Sequence, residues 1–339
     1  SKTINTIKIY NFSKDRYFTS ITSNSKLTNN ITILGYYKNS KAKKKYIIEA
    51  IKNNTPAIVT NKFLKYANVP QFLVSSLDSE IELIIKKIYK NMPSRTIAVT
   101  GTNGKTSVVW YVSKILSALK YNNSTVGTLG HYKNGKKINE FDLTTPPFEE
   151  LYKYGSSKKK NNIFIFEASS HALDQNRIRN YPINIAAITN ITKDHLDYHK
   201  NIFEYKKAKL KLFKKHLLPN GYAIINARIK NILPIIKNIK NKKIKTILFG
   251  KKNIFFKRKD NFLRLVINKN EYNINNLKLN SYIELENLEC AIACCLEIGI
   301  KSSQIVKNLM KMTSPPGRLE VIKYKKKSSK IIIDYAHTP

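Results

Sequence analysis

Arginine is scarce in this chain. Only 8 of its 61 basic residues are arginine, set against 22 acidic residues and a formal net charge of +39. Bidentate recognition of bases and phosphates favours the arginine fork, so this charge does not mark a specific nucleic-acid reader. The excess lysine travels with excess asparagine and isoleucine along the whole chain, as solvated faces and a compositional bias would place it. What it implies is salt-sensitive, non-specific affinity for polyanions. Cysteine is sparse as well. Cys290, Cys294 and Cys295 fall within six positions of one expected helix, which is neither a disulfide framework nor a zinc spacing and suits buried thiols in a reducing compartment. No apolar run approaches the ~18 residues of a membrane span, and the opening SKTINTIKIYNF has no signal-peptide core. Membrane insertion is therefore not expected, and a cytoplasmic location is.

What is present is an ordinary globular composition: 339 residues, 42% of them apolar, enough for two or three domains. Residues 1–92 read as a small α/β region, with strands at Ile31–Tyr37 and Pro56–Thr60, a helix at Tyr46–Asn54 and a second helix ending at Met92. Pro93 and Ser94 punctuate the chain, and residues 93–339 are expected to form a second domain. There strands (Thr96–Thr100, Ile163–Ala168, Ile185–Ile191, Ala223–Asn226, Thr246–Phe249, Ile331–Tyr335) alternate with helices starting near Lys105, Phe203, Leu285 and Ser302. Such alternation predicts a mainly parallel sheet flanked by helices, with an antiparallel excursion over Asn253–Leu279 and lysine- and asparagine-rich connectors at residues 159–163 and 237–245.

The stretch TIAVTGTNGKTSVVWYV, Thr96–Val112, places a tight loop between an apolar strand and a helical pattern. Gly101 and Gly104 let the backbone turn sharply. The helix start offers free N–H groups and a positive dipole end to phosphate. Lys105 would reach terminal phosphates, and the Thr106 hydroxyl would reach Mg2+. A chance turn on a lysine-rich surface would lack the flanking strand and helix that this loop has. Glu167 ends another strand, where a carboxylate faces the crevice of an α/β sheet and suits Mg2+ beside Thr106. Asp194, His195, Asp197 and His199 cluster after a further strand.

T-G-T-N-G-K-T-S (Thr100–Ser107), E-A-S-S-H (Glu167–His171), T-K-D-H-L-D-Y-H (Thr192–His199), Y-K-K-A-K (Tyr205–Lys209), N-L-E-C-A (Asn287–Ala291), G-R-L-E (Gly317–Glu320) and D-Y-A-H-T-P (Asp334–Pro339) follow in that order. Together, over about Thr96–Pro339, they resemble the Mur ligases of peptidoglycan synthesis, and among those the type that adds the third amino acid. The family's own loop lacks a first glycine, so Val99 at that position fits it. The resemblance implies that ATP phosphorylates the terminal carboxylate of a UDP-MurNAc-dipeptide and that the amine of an incoming amino acid then displaces phosphate. By similarity, Thr100, Gly101, Thr102, Asn103, Gly104, Lys105, Thr106 and Ser107 hold ATP, with Asn287, Arg318 and Asp334 near its base, phosphates and ribose. Thr106, Glu167 and His195 are implied Mg2+ ligands. Lys209 joins them if carbamylated, which would turn a repelled cation into an anion. Thr144, Thr145, Ser169, Gln175 and Arg177 are implied contacts of the muramyl peptide, and Ser25 is an implied contact of the UDP end of that substrate.

Residues 1–92 match less closely. Asn24-Ser25-Lys26 stands where the family has Asp-Ser-Arg, Lys38–Lys45 replaces a glycine-rich stretch, and Ser281 and Glu284 replace a glycine and an asparagine. The chain stops inside D-Y-A-H-T-P, so a third, Rossmann-like domain is expected to be absent and the enzyme to be incomplete. A monomer is expected, with diaminopimelate rather than lysine as the added amino acid. Two other readings stay open: another Mur or folylpolyglutamate ligase, and a basic binding protein that has lost catalysis.

Overall fold

The computed structural model describes residues 6–36, 44–231, 233, 236, 243–259, 262–279, 281–318, 320–323 and 330–335. They pack as two compact units, Ser1–Met92 with Pro147–Ser156, and Pro93–Pro146 with Ser157–Pro339.

The first unit is built on a five-stranded sheet of β1 (Lys8–Tyr10), β2 (Ser20–Thr22), β3 (Thr32–Tyr36), β4 (Ile58–Thr60) and β5 (Gln71–Leu73), in the order β1-β5-β4-β3-β2. β2 to β5 run parallel and β1 pairs antiparallel with β5. Helix α1 (Lys44–Lys52) buries Ile47 and Ala50 against Leu34, Tyr36 and Ile58, and α2 (Leu77–Ile88) buries Ile81, Ile84 and Ile85. Asp78 and Glu80 in the first turn of α2, and Lys86 and Lys87 in its last, complement the helix dipole. This helix stops at Ile88, short of the expected Met92.

The second unit carries an eleven-stranded sheet with β6 (Arg95–Thr100) near its middle. On one side follow β10 (Ile163–Glu167), β7 (Asn123–Gly127) and an antiparallel hairpin of β8 (Gly130–Lys133) and β9 (Lys136–Asn139). On the other side follow β11 (Ile183–Ile188), β12 (Leu217–Asn226) and β13 (Lys245–Phe249), all parallel, and then β14 (Ile254–Lys259), β15 (Phe262–Ile267) and β16 (Asn270–Ile274). The last three form the antiparallel excursion expected from the sequence. The alternation of β10 explains the two-sided core. Ile163 and Ile165 join Ile97, Val99, Ile185 and Ile224 under α3 (Lys105–Ala118) and α8 (Tyr282–Glu297). Phe164 and Phe166 face the other way, with Tyr181 at ring distances of 5.6 and 6.0 Å. Each such side chain contributes roughly 1.5–3 kcal/mol on burial. All three cysteines are fully buried in α8. The first turn of α8 is closed by a capping box between Ser281 and Glu284.

Two further features depart from the sequence reading. Ile331–Tyr335 does not join the parallel sheet. β18 (Lys330–Ile333) pairs antiparallel with β17 (Glu320–Lys323) in a separate two-stranded sheet, because a β-branched run specifies a strand but not its partner. The segment Pro147–Ser156, holding α4 (Phe148–Gly155), packs with the first unit although it lies far beyond residue 92. Residues 37–43, most of the connector at 237–245, Leu319 and residues 336–339, which end D-Y-A-H-T-P, lie outside the described residues.

Candidate nucleotide and ligation site

The site sits at the C-terminal edge of β6, where the loop from Gly101 to Gly104 leads into α3. Gly104 is left-handed at φ +85°, and a Cβ there would lie 2.1 Å from Asn287 Oδ1, so the helix can begin only with glycine at this point. The same contact brings Asn287, on α8, against the loop. Its other walls come from the β11 end: Asn190 Oδ1 accepts from the Asn103 N–H at 2.9 Å, and the Thr189 hydroxyl donates to the Asn103 carbonyl at 2.5 Å. The Thr102 hydroxyl accepts from the Thr192 N–H at 3.0 Å and from the Tyr205 hydroxyl at 3.0 Å.

Two lysines converge on this loop. The Lys105 ammonium donates to the carbonyls of Gly101 at 2.9 Å and Thr102 at 2.8 Å. Lys209, on α7 (Ile202–Lys211), is 1% exposed, donates to the same Gly101 carbonyl at 2.8 Å and lies 4.3 Å over the Tyr205 ring. Burial and then the nearby Lys105 charge push the Lys209 amine well below the ordinary lysine value. Burial also lowers Lys105, opposed by the charges of Glu167 and Asp194. Burial and the Lys105 charge are the two causes that favour a neutral amine at Lys209.

Glu167 ends β10, beside β6, and is 1% exposed. Its Oε2 accepts from the Thr106 hydroxyl at 3.0 Å and its Oε1 from the Thr128 N–H at 2.8 Å. Burial raises its pKa, with Lys105 and these hydrogen bonds opposing. One hydroxyl and one carboxylate fill only part of a six-coordinate sphere. Among the described residues no group of three His, Cys, Asp or Glu side chains could hold a metal by itself. That donor set fits a Mg2+ shared with phosphate oxygens and water better than an all-protein cage.

Several further positions meet around the Glu167 backbone. Thr145 Oγ1 donates to the Glu167 carbonyl at 2.7 Å and accepts from the Ser169 N–H at 3.0 Å. Arg177 Nη1 donates to the Thr145 carbonyl at 2.6 Å, while its Nε is buried with no hydrogen-bond partner. The Ser169 hydroxyl accepts from the Ala172 N–H and caps α5 (Ser170–Asp174). Gln175, one residue past α5, donates to the Tyr198 hydroxyl at 3.3 Å. His195 is half-exposed at φ +51°, with its ring 4.8 Å from His171 and its Nε2 3.4 Å from Asp194. His199, on α6 (Leu196–His199), is buried, and Asp197 is exposed.

The remaining candidates stand apart or at the edge. Arg318 donates to the Tyr335 carbonyl at 3.2 Å and lies near enough for its charge to lower the Lys105 pKa. Asp334, which precedes Tyr335 in the chain, is exposed. Ser25 belongs to the first unit, where its hydroxyl donates to Glu49 at 2.5 Å. Sequence reasoning missed Thr128, Thr189, Asn190 and Tyr205. For Thr128 a signal existed, since the glycines of T-V-G-T-L-G bracket it at a strand end. Among the described residues no helix is long and apolar enough to cross a membrane.

Comparison with known proteins places these residues in a family. A UDP-N-acetylmuramoyl-L-alanyl-D-glutamate–2,6-diaminopimelate ligase of Rickettsia montanensis is 34% identical over 305 residues, covering 87% of this chain. The chain spans 63% of that relative's length. A solved structure of a ligase of the same name superposes with TM-score 0.73 at 23% identity, over 96% of this chain and 70% of that one. A MurF ligase from Thermotoga maritima, solved in complex with ADP, superposes with TM-score 0.68 at 17% identity, over 92% and 70%. The model of the Mur ligase middle domain matches residues 99–295, from the strand before the loop to the buried cysteines of α8, and the chain belongs to the Mur ligase family.

Proposed function

We propose that the protein is an ATP-dependent amide ligase that adds the third amino acid, meso-diaminopimelate, to UDP-MurNAc-L-Ala-D-Glu through an acyl phosphate. The reading rests above all on the meeting of Lys105, Thr106, Glu167 and Lys209 at the ends of two neighbouring strands. The name of the Rickettsia relative supports the choice of substrate and amino acid. Such an enzyme works in the cytoplasm.

The chain's own groups suit each step. Lys105 exchanges its two loop carbonyls for the terminal phosphate oxygens, and the N-terminus of α3 adds backbone donors. Thr106 and Glu167 would hold Mg2+, with His195 at a second ion, and bound there the metal would neutralise the charge on phosphate oxygens. Arg177, through its unpartnered Nε, is assigned a substrate oxygen, and Thr144, Thr145, Ser169 and Gln175 are assigned to the same muramyl peptide. Holding carboxylate and phosphate in one crevice supplies proximity. Ser25, in the first unit, is assigned the uridine end.

Lys209 is suited to carbamylation. The ammonium first gives up one proton, and the neutral amine then adds to CO2 at carbon and releases a second, leaving a carbamate anion in place of a cation. That charge change relieves the repulsion from Lys105 at Gly101.

The test is ATP-dependent phosphate release with UDP-MurNAc-L-Ala-D-Glu and either diaminopimelate or lysine. Release and a new amide with diaminopimelate are expected. Activity only with another muramyl precursor or a folate would overturn the assignment, and salt-sensitive nucleic-acid binding with no ATP turnover would favour a degenerate relative.

A further inference from the structure

The proposed reading leaves unexplained how Glu167 is kept in one orientation and how the muramyl-peptide loop senses it. We propose that Thr128 is a positioning residue that fixes the Glu167 carboxylate and ties it to Thr144, so that metal-nucleotide binding and muramyl-peptide binding strengthen each other. This rests on the ligase reading of the same site.

The geometry is specific. β7 ends at Gly127, and the next residue turns its backbone N–H onto Glu167 Oε1 at 2.8 Å. The Thr128 hydroxyl lies 3.2 Å from Oε2 and 3.2 Å from the Thr144 hydroxyl. The Thr106 hydroxyl donates to the same Oε2 at 3.0 Å. Gly127 makes this approach possible, since a Cβ there would stand 2.1 Å from Glu167 Oε1. The carboxylate is thus gripped by two threonines and packed against a glycine, with little rotational freedom left.

Proton accounting gives the chain a direction. An ionised carboxylate only accepts, so Thr128 spends its single hydroxyl proton on Oε2. Its oxygen then accepts from Thr144, and the Thr144 lone pairs are left for a donor on the substrate. A bound donor at Thr144 makes that hydroxyl a better donor to Thr128, and so Thr128 a better donor to Glu167. Whatever loads Glu167 must act back on Thr144 by the same factor.

Two variants separate this role from simple packing. Thr128→Val keeps the backbone N–H and the branched shape but removes the hydroxyl, and Thr128→Ser restores the hydroxyl. Mn2+ binding in the presence of ADP is read by electron paramagnetic resonance, and UDP-MurNAc-L-Ala-D-Glu binding by calorimetry with and without Mn2+ and ADP. Wild type and Thr128→Ser are expected to bind the muramyl peptide several-fold more tightly when Mn2+ and ADP are present. Thr128→Val is expected to bind Mn2+ with ADP about tenfold more weakly and to lose that coupling. If Thr128→Val matches wild type in both, or if Thr128→Ser falls as far as Val, the positioning role is wrong while the ligase reading stands. If wild type binds neither Mn2+ with ADP nor the muramyl peptide, the ligase reading fails and this proposal fails with it.

Discussion

Lys105 and Lys209 donate to a single oxygen, the Gly101 carbonyl, from 2.9 and 2.8 Å. Two full ammonium charges on one buried acceptor repel each other strongly at low dielectric, and the arrangement is eased when Lys209 sheds its proton.

That relationship fixes the sign of a pH effect. The Lys209 pKa is lower in the folded chain than in the unfolded one, so between the two values the unfolded state binds the extra proton and stability rises with pH. The slope for one such group cannot exceed about 1.4 kcal/mol per pH unit. Lys209→Met should flatten the rise of the thermal midpoint toward pH 10. An unchanged slope would show that Lys209 is solvated.

Glu167→Gln should weaken Mg2+ and ADP binding at least tenfold while leaving the empty protein as stable or more so. The carboxyl pKa is raised by burial, so the ionised form costs stability as pH rises above about 4.5, and an amide carries no such cost. Calorimetry and thermal melting at pH 7 check both halves. A large loss of stability in the empty protein would contradict the proposed balance.

Gly104→Ala should cost about 1–3 kcal/mol of stability and abolish nucleotide binding, since the added Cβ meets Asn287 Oδ1 at 2.1 Å. Pairing it with Asn287→Ala, which opens that space, should recover part of the stability and none of the backbone strain at φ +85°. Additive losses would argue against the contact.

Two carboxyls outside the loop give a separate signal. Burial and the Glu149 charge push Glu150 up to about 7. Burial pushes Glu289 up to about 7 even with Arg228 3.7 Å away and the Phe256 N–H donating to it. Both pKa values are raised, so stability should fall as pH climbs from 4.5 toward 7 and level off above. The ceiling is about 3 kcal/mol for each group. Glu150→Gln and Glu289→Gln should each remove part of that fall in denaturant titrations at pH 5 and 8.

The sequence made the central strand, the loop and α3 plain because three local signals coincide there: a buried apolar run, paired glycines and helical spacing. It revealed far less at Lys209. In K-K-A-K-L-K-L-F-K-K nothing local tells the one lysine that faces the loop from its solvated neighbours. Only the family resemblance singled it out, and its burial comes from tertiary packing beside Tyr205. Thr128 was overlooked because a threonine in a turn is ordinary until Glu167 is seen above it. β7 was missed because N-S-T-V-G carries one strongly apolar residue, yet all five positions are buried between β10 and β8. The strand at Lys330–Ile333 was identified by composition and assigned to the wrong sheet, since pairing is decided by contacts distant in sequence.

The placement of α4 bears on how this protein can be divided. The polypeptide leaves one unit for the other at three points in its length, near residues 92, 146 and 156. Severing it between Met92 and Pro93 would therefore not yield two self-sufficient halves. The downstream piece would carry Phe148, Leu151 and Tyr152 away from the partners that cover them, and an uncovered greasy helix is an invitation to aggregate.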